Sequence, residues 1–369
     1  MTRPGQVETR PRGLAVRGRV WPGGGRASYD DGVVLVDDNG RIAAIGTRDD
    51  VDLPADISML GGATTWVGPG IVDAHVHLAF GGPRELAAGG VTAARDLGAP
   101  LERATAWRSG DDPLVGSARI AIAGPLLTAP DGYPSRSWGA DGFAAFVGDG
   151  AIAMTVVRAL AASVDVIKVA IEPAGGPTPD EDTVRAVVEA AHEMGLAVTA
   201  HALTVDAVRV ALAGGVDELA HTPVERLPPA LIDGIAAVGV GVVSTLQTFV
   251  AGGVGASAVE NAAALYAAGV TIRYGTDLGN TGTSPGVDPR ELELLAKLGM
   301  GRDGALVAAT VGAAGAPGLA ATGTTGRLVV GGPADLVVLA GDPLEDPDQW
   351  ASPVAVLVAG RAIANRPPT

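Results

Sequence analysis

Apolar and polar positions recur with two different periods along this chain, and the change of period divides it. Between residues 13 and 66 the short apolar runs VRGRVW, GVVLVDDNGRIAAIG and ATTWVG are separated by turn-forming residues, the pattern of strands joined by turns. Asn39-Gly40, between two such runs, marks a hairpin. From about residue 70 to about 310 strand-like runs alternate with stretches of helical spacing such as DEDTVRAVVEAAHEM and TVDAVRVALAGG. Eight strands are expected, at 71–78, 91–97, 119–127, 165–171, 196–202, 217–222, 241–247 and 270–277. Eight strand–helix repeats predict an α/β fold, a (β/α)8 TIM barrel. A doubly wound open sheet is the rival, and the Gly-rich fingerprint of its nucleotide-binding form is missing. From 326 to 365 the strand pattern returns in RLVVG, ADLVVLAG and VAVLVAGRAI. The expected organisation is therefore a barrel over 67–320, with 1–66 and 321–369 folding together as one small β-sandwich.

Within this frame the segment PGIVDAHVHL at 69–78 is anomalous. On a strand, Asp73, His75 and His77 share one face, and three polar groups turned into one interior must be satisfied. A metal ion would satisfy them, as would a hydrogen-bonded patch on an exposed sheet face. The chain holds five histidines. His75, His77, His201 and His221 fall on or at the ends of expected strands, whereas His192 sits in EAAHEMG on a helix and reads as a surface residue. One helix and one strand separate His201 from His221, which places them on neighbouring strands at the same end of the sheet. Barrel enzymes keep their active sites at that end. Asp277 closes the eighth strand in YGTD, and Lys168 lies within VIKVAI, where a buried ammonium needs an ion pair, a route to the strand end or a change of chemistry.

The composition narrows the partners. The 369 residues carry a formal charge of −15, against the basic footprint that nucleic acid or an anionic membrane requires. Cysteine is absent, so a metal here rests on His, carboxylates or a modified side chain. The uncharged run 235–259 is broken by Gly, Ser, Thr and Gln and parses as a helix end, a strand and a loop. With no apolar leader at the start of the sequence, the expectation is a soluble, cytoplasmic protein acting on a small molecule, with no nucleic-acid or membrane partner and a homo-oligomer as the default assembly.

Taken together, PGIVDAHVHL, GGVTAARDLG, Lys168, His201, His221, YGTD and GGPADLVVLAGDP resemble the amidohydrolase superfamily along essentially the whole chain. More narrowly the chain is similar to its imidazolonepropionase-like branch, which includes prolidase-like dipeptidases acting on Xaa-Pro and N-acyl amino acid substrates. The resemblance implies two divalent ions, Zn²⁺ first and Mn²⁺, Fe²⁺ or Co²⁺ otherwise. His75, His77 and Asp277 would hold one and His201 and His221 the other, with Lys168 carboxylated by carbon dioxide as the shared ligand. It implies hydrolysis of a C–N bond by a metal-bridging hydroxide, with Asp277 moving the proton. Ester or lactone hydrolysis, a mononuclear deaminase or imidazolone hydrolase, and a non-catalytic scaffold are the alternatives. Asp73 is expected to orient a ligating histidine. In TAPDGYPSRSWG, Tyr133 stands where that branch often has His, and is expected either to hydrogen-bond the substrate carbonyl or to be a plain loop aromatic. By loop position Trp138, Gln247 and Phe249 are candidate substrate contacts. Arg95 and Arg273 are expected in structural ion pairs.

Overall fold

A computed structural model describes residues 13–109, 118–138 and 142–363; the remaining parts of the expected terminal unit, 1–12 and 364–369, lie outside them. The first four strands are β1 (Leu14–Val20), β2 (Tyr29–Val36), β3 (Ile42–Thr47) and β4 (Ser58–Pro69). β5 (Ile71–Val76), β6 (Val91–Asp96) and β7 (Arg119–Ile122) form a parallel three-stranded sheet. A second parallel sheet contains β8 (Leu126–Thr128), β9 (Ala144–Phe146), β10 (Ile167–Ile171), β11 (Val198–Ala202), β12 (Glu218–Leu219), β13 (Gly241–Val243) and β14 (Ile272–Arg273). Its order is β14-β13-β12-β11-β10-β8-β9. Three more strands, β15 (Leu336–Leu339), β16 (Ala355–Val358) and β17 (Arg361–Ala362), follow.

Strands from both ends of the sequence meet in a single mixed sheet, ordered β17-β16-β15-β4-β1-β2-β3. Among the described residues this is one sheet, not the two-layered sandwich expected. The Asn39-Gly40 hairpin is present: Gly40 has φ +73° and the Asp37 carboxylate accepts the N–H groups of Asn39 and Arg41. Gly40 also lies against the β16–β17 turn, where an added Cβ would come within 1.8 Å of the Ala359 carbonyl oxygen. Only glycine lets the two turns touch there.

The parallel strands read as two sheets and not as one closed ring. The expected strand 119–127 is split at Gly124-Pro125 into β7 and β8, because Gly124 takes φ +68° and Pro125 has no N–H for a ladder. At the other edge, individual bonds link β5 to the segment after β14: Ala74 N–H to Tyr274 O, Asp277 N–H to His75 O, and His77 N–H to Leu278 O at 2.8–3.1 Å. The seventh and eighth strands are shorter than expected, since Thr245 (φ +46°) and Asp277 (φ +56°) turn the chain out of extended geometry. Residues 246–251, expected in part as strand and loop, form a helix whose first N–H groups, on Leu246 and Gln247, are accepted by Glu291. RLVVG forms no strand; its Leu328 is buried and bonds through N–H to Pro22 O.

The helices follow the apolar periodicity. The helix Glu181–Glu193 is capped by Asp180, which accepts from Thr183 N–H, and buries Val184, Val187, Val188 and Ala191 on one face. Helix Val205–Gly214 is capped likewise by Thr204. No helix among the described residues is long and apolar enough to cross a membrane.

Candidate metal centre

Six of the residues singled out from sequence are buried together: five stand at or past the C-terminal ends of the parallel strands, and Lys168 is the second residue of its strand. His75 lies on β5 and His77 just beyond it, Lys168 on β10, His201 on β11, His221 two residues past β12, and Asp277 past β14. Period-two alternation turns His75 and His77 to the same side, and the left-handed backbone at Asp277 keeps its carboxylate facing them.

The core of the site is a triangle. His75 Nε2 lies 3.2 Å from His77 Nε2 and 3.4 Å from Asp277 Oδ1, and His77 Nε2 lies 3.3 Å from that same oxygen. His75 donates its Nδ1–H to the Ala220 carbonyl at 2.8 Å, so its Nε2 carries a lone pair. Two imidazole nitrogens and a carboxylate oxygen, all within 4.8 Å of one another, form a group that could hold a cation. This donor set suits Zn²⁺, Mn²⁺, Fe²⁺ or Co²⁺. Beside the triangle the Lys168 ammonium is buried with no hydrogen-bond partner among the described residues. His221 Nδ1 meets the Thr245 hydroxyl at 3.1 Å and Asp277 Oδ2 at 3.9 Å, and its ring packs 4.5 Å from His75 and 4.8 Å from His201.

Burial sets the protonation states. It lowers His75, His201 and His221 below the ordinary imidazole range, with Lys168 adding to each shift, so all three are neutral, the ligating form, at neutral pH. It also brings the Lys168 ammonium down to about 7. At Asp277 burial opposes the charge, but His221, His77 and Lys168 outweigh it and hold the carboxyl well below the usual range.

Asp73 acts differently from expectation. Its carboxylate accepts the backbone N–H of His75 and of Thr276 at 3.0 Å and the Thr276 hydroxyl at 2.6 Å. It thus ties the backbones that carry His75 and Asp277 instead of orienting an imidazole ring. Burial raises it to about 7.

Aromatic residues gather at the rim. Tyr133 stacks on His201 at 5.2 Å, Trp138 meets His77 edge-on at 4.5 Å, and Phe249 meets His221 at 5.8 Å. Phe80, unmarked by sequence, lies 6.2 Å from Trp138. Burial, with Asp277 and Glu172 nearby, raises the Tyr133 hydroxyl above its ordinary value, so it remains a proton donor. Gln247 is buried and lines a groove of about 360 Å³ together with Pro289, Arg290 and Asp346. His192 is half-exposed and bonds Asp217 at 3.0 Å. Arg95 and Arg273 are both ion-paired to Glu218, as expected. One residue of the site escaped the sequence reading. Glu172 follows β10 directly, and its Oε2 accepts from His201 Nε2 at 3.0 Å. The signal was its parity: positions 168, 170 and 172 share one strand face.

A model of the amidohydrolase family matches residues 66–363. No significant match was found among curated proteins. Among solved structures, a candidate prolidase from Bifidobacterium longum is 28% identical, with TM-score 0.81, covering 95% of this chain and 94% of that one. A Xaa-Pro dipeptidase with methionine bound in its active site is 20% identical, with TM-score 0.82 and coverage of 95% and 99%. An ochratoxinase from A. niger is 21% identical, with TM-score 0.79 and 95% of each chain covered.

Proposed function

Because this chain belongs to the amidohydrolase family, we propose that it is a metal-dependent hydrolase cleaving a C–N bond next to a carbonyl in a small amide, N-acyl amino acid, dipeptide or cyclic amide. The observation that carries this reading is the convergence of His75 Nε2, His77 Nε2 and Asp277 Oδ1 beside the partnerless Lys168 amine. The two parallel sheets are read as arcs of one (β/α)8 barrel over 67–320, with 1–66 and 321–369 forming the smaller β unit.

In this reading His75, His77 and Asp277 would hold one divalent ion, zinc first, and His201 and His221 would hold a second, with Lys168, once carboxylated, as their shared ligand. Carbon dioxide adds to the neutral amine, forming an N–C bond and releasing one proton. Burial makes that neutral amine available near pH 7, and the product replaces an unpartnered cation with an anion suited to metals. A bound divalent ion supplies an acidic water at neutral pH and polarisation of a carbonyl oxygen. The chain's own residues do the rest. Asp277, anionic and close to both pairs of histidines, accepts a proton from the attacking water and returns it to the leaving nitrogen. Tyr133 keeps its proton and donates to the oxygen on which charge develops. Trp138 and Phe249 wall the space over the histidines. The likeness to a candidate prolidase supports a peptide-like substrate.

The test is metal content per chain by elemental analysis, on wild type and Lys168→Ala purified with bicarbonate, joined to hydrolysis of N-acyl amino acids, dipeptides, cyclic amides and lactones. Near two metals in wild type, a fall in the variant and turnover of an amide are expected. One metal in both proteins would overturn the bridging lysine, and faster turnover of lactones would overturn the amide assignment.

A further inference from the structure

His201 is restrained on two sides. Its Nε2 faces Glu172 Oε2 at 3.0 Å, and an ionised carboxylate only accepts hydrogen bonds, so the ring proton sits on Nε2. Tyr133 lies almost flat on the ring, with 29° between planes. The loop after β10 makes both contacts possible. Glu172 caps the short turn Pro173–Gly175 by accepting from Ala174 N–H at 2.9 Å, and Gly175 packs so tightly that an added Cβ would lie 2.5 Å from Tyr133 Cβ. Glu172 and Tyr133 are therefore brought to the edge and the face of one imidazole. Among the described residues no protein group takes the other nitrogen of that ring, Nδ1.

We infer that Glu172 is a positioning residue. It fixes His201 as the Nε2–H tautomer and presents the Nδ1 lone pair to the second divalent ion. The inference rests on the two-ion reading above, and it adds both the ligating atom of His201 and the residue that selects it. A carboxylate on the far nitrogen of a ligating imidazole raises the basicity of the near one, and losing such a partner typically lowers metal affinity roughly 10–100-fold. Glu172 lies at the strand end with its side chain 13% exposed, so the isosteric Glu172→Gln, which keeps its size, carries the comparison.

The experiment is a titration of chelator-stripped protein with zinc against a chromophoric competitor, for wild type, Glu172→Gln, Glu172→Asp and Glu172→Ala. The tautomer of His201 is read in parallel by nitrogen-15 NMR of the metal-free proteins. Expected are two binding events in wild type, with the weaker one reduced about 10–100-fold by Glu172→Gln, the tighter one unchanged and Glu172→Asp intermediate. His201 should be Nε2–H in wild type and mixed in Glu172→Ala. Equal affinities for both ions in wild type and Glu172→Gln would overturn the inference. If wild type binds fewer than two ions, the two-ion reading fails by itself. The tautomer then judges Glu172: a change in Glu172→Ala upholds its hold on His201, and no change removes it.

Discussion

Two groups of buried charge lie on or just past the parallel strands and are built in opposite ways. Beneath the histidines, Arg95 donates through Nε to Ala74 O at 2.8 Å, through Nη1 to Pro317 O at 3.0 Å, and through Nη2 to Glu218. Glu218 also accepts from the Thr199 hydroxyl at 3.0 Å and faces Arg273 Nη1 at 3.4 Å. Opposite charges meet: each nitrogen of the Arg95 guanidinium donates, while Glu218 Oε2 and Arg273 Nη1 form an ion pair without a hydrogen bond. In the histidine site the reverse holds: two ring nitrogens crowd a carboxylate oxygen at 3.3–3.4 Å, and an ammonium beside them has no acceptor. A fold keeps an arrangement of the first kind for its own cohesion. The second kind is costly until something else completes it. Buried atoms without a hydrogen bond occur in both groups; an ammonium left with no ion pair, more than burial itself, marks the functional group.

Substitutions should separate the two groups cleanly. The largest effect is expected from Asp277→Asn, which removes the proton carrier and one donor of the triangle. Turnover of a substrate found in the amide panel should fall by about 10²–10⁴-fold with metal lost, while the urea midpoint of metal-free protein moves little. An Asn variant with wild-type turnover and full metal would take Asp277 out of the chemistry. Next comes Arg95→Met, which leaves Glu218 buried with only the Thr199 hydroxyl and the looser Arg273 contact. Removing one partner of such a pair costs about 3–5 kcal/mol. Urea unfolding should show that loss with metal content unchanged; retained stability would mean that Thr199 and Arg273 suffice for Glu218.

The site was legible in the sequence wherever a polar residue broke an apolar strand. His75, Lys168 and His201 stand out against valine, isoleucine and alanine, and His221 and Asp277 end such runs. Parity and strand order suffice to bring them to one end. What stayed hidden depends on where the backbone turns. Glu172 looks like an ordinary loop acid until the turn at Pro173–Gly175 folds it back over His201. Asp73 has the right face, but only the hydrogen bonding between two sequence-distant segments shows that it serves backbone N–H groups. The division of the third strand was written in Gly124-Pro125, yet the apolar residues on both sides read as one run. The brevity of β13 and β14 has no sequence signal, because it reflects the left-handed turns at Thr245 and Asp277.

The smallest effect is a change of slope, and it belongs to the unsatisfied group alone. Lys168 titrates near 7 in the fold against 10.5 for the free side chain. Between those values the unfolded chain binds the proton and the folded chain does not, so stability rises with pH across that window. One such group contributes at most about 1.4 kcal/mol per pH unit. Asp73 and Glu291 act oppositely. Burial raises both from 3.8 and 4.5 to about 7, so the folded state retains protons that the unfolded state has released, and stability falls as pH climbs to about 7. His75, His201 and His221, lowered by burial from 6.5, offset that fall in the acidic range. Metal-free, carbon dioxide-free protein should therefore gain stability from about pH 7 towards about pH 9.5, and urea unfolding of wild type and Lys168→Met across that range checks this: only wild type should show the gain. Superimposable profiles would mean that Lys168 keeps its proton in the fold. The neutral amine that carboxylation requires would then be scarce at physiological pH.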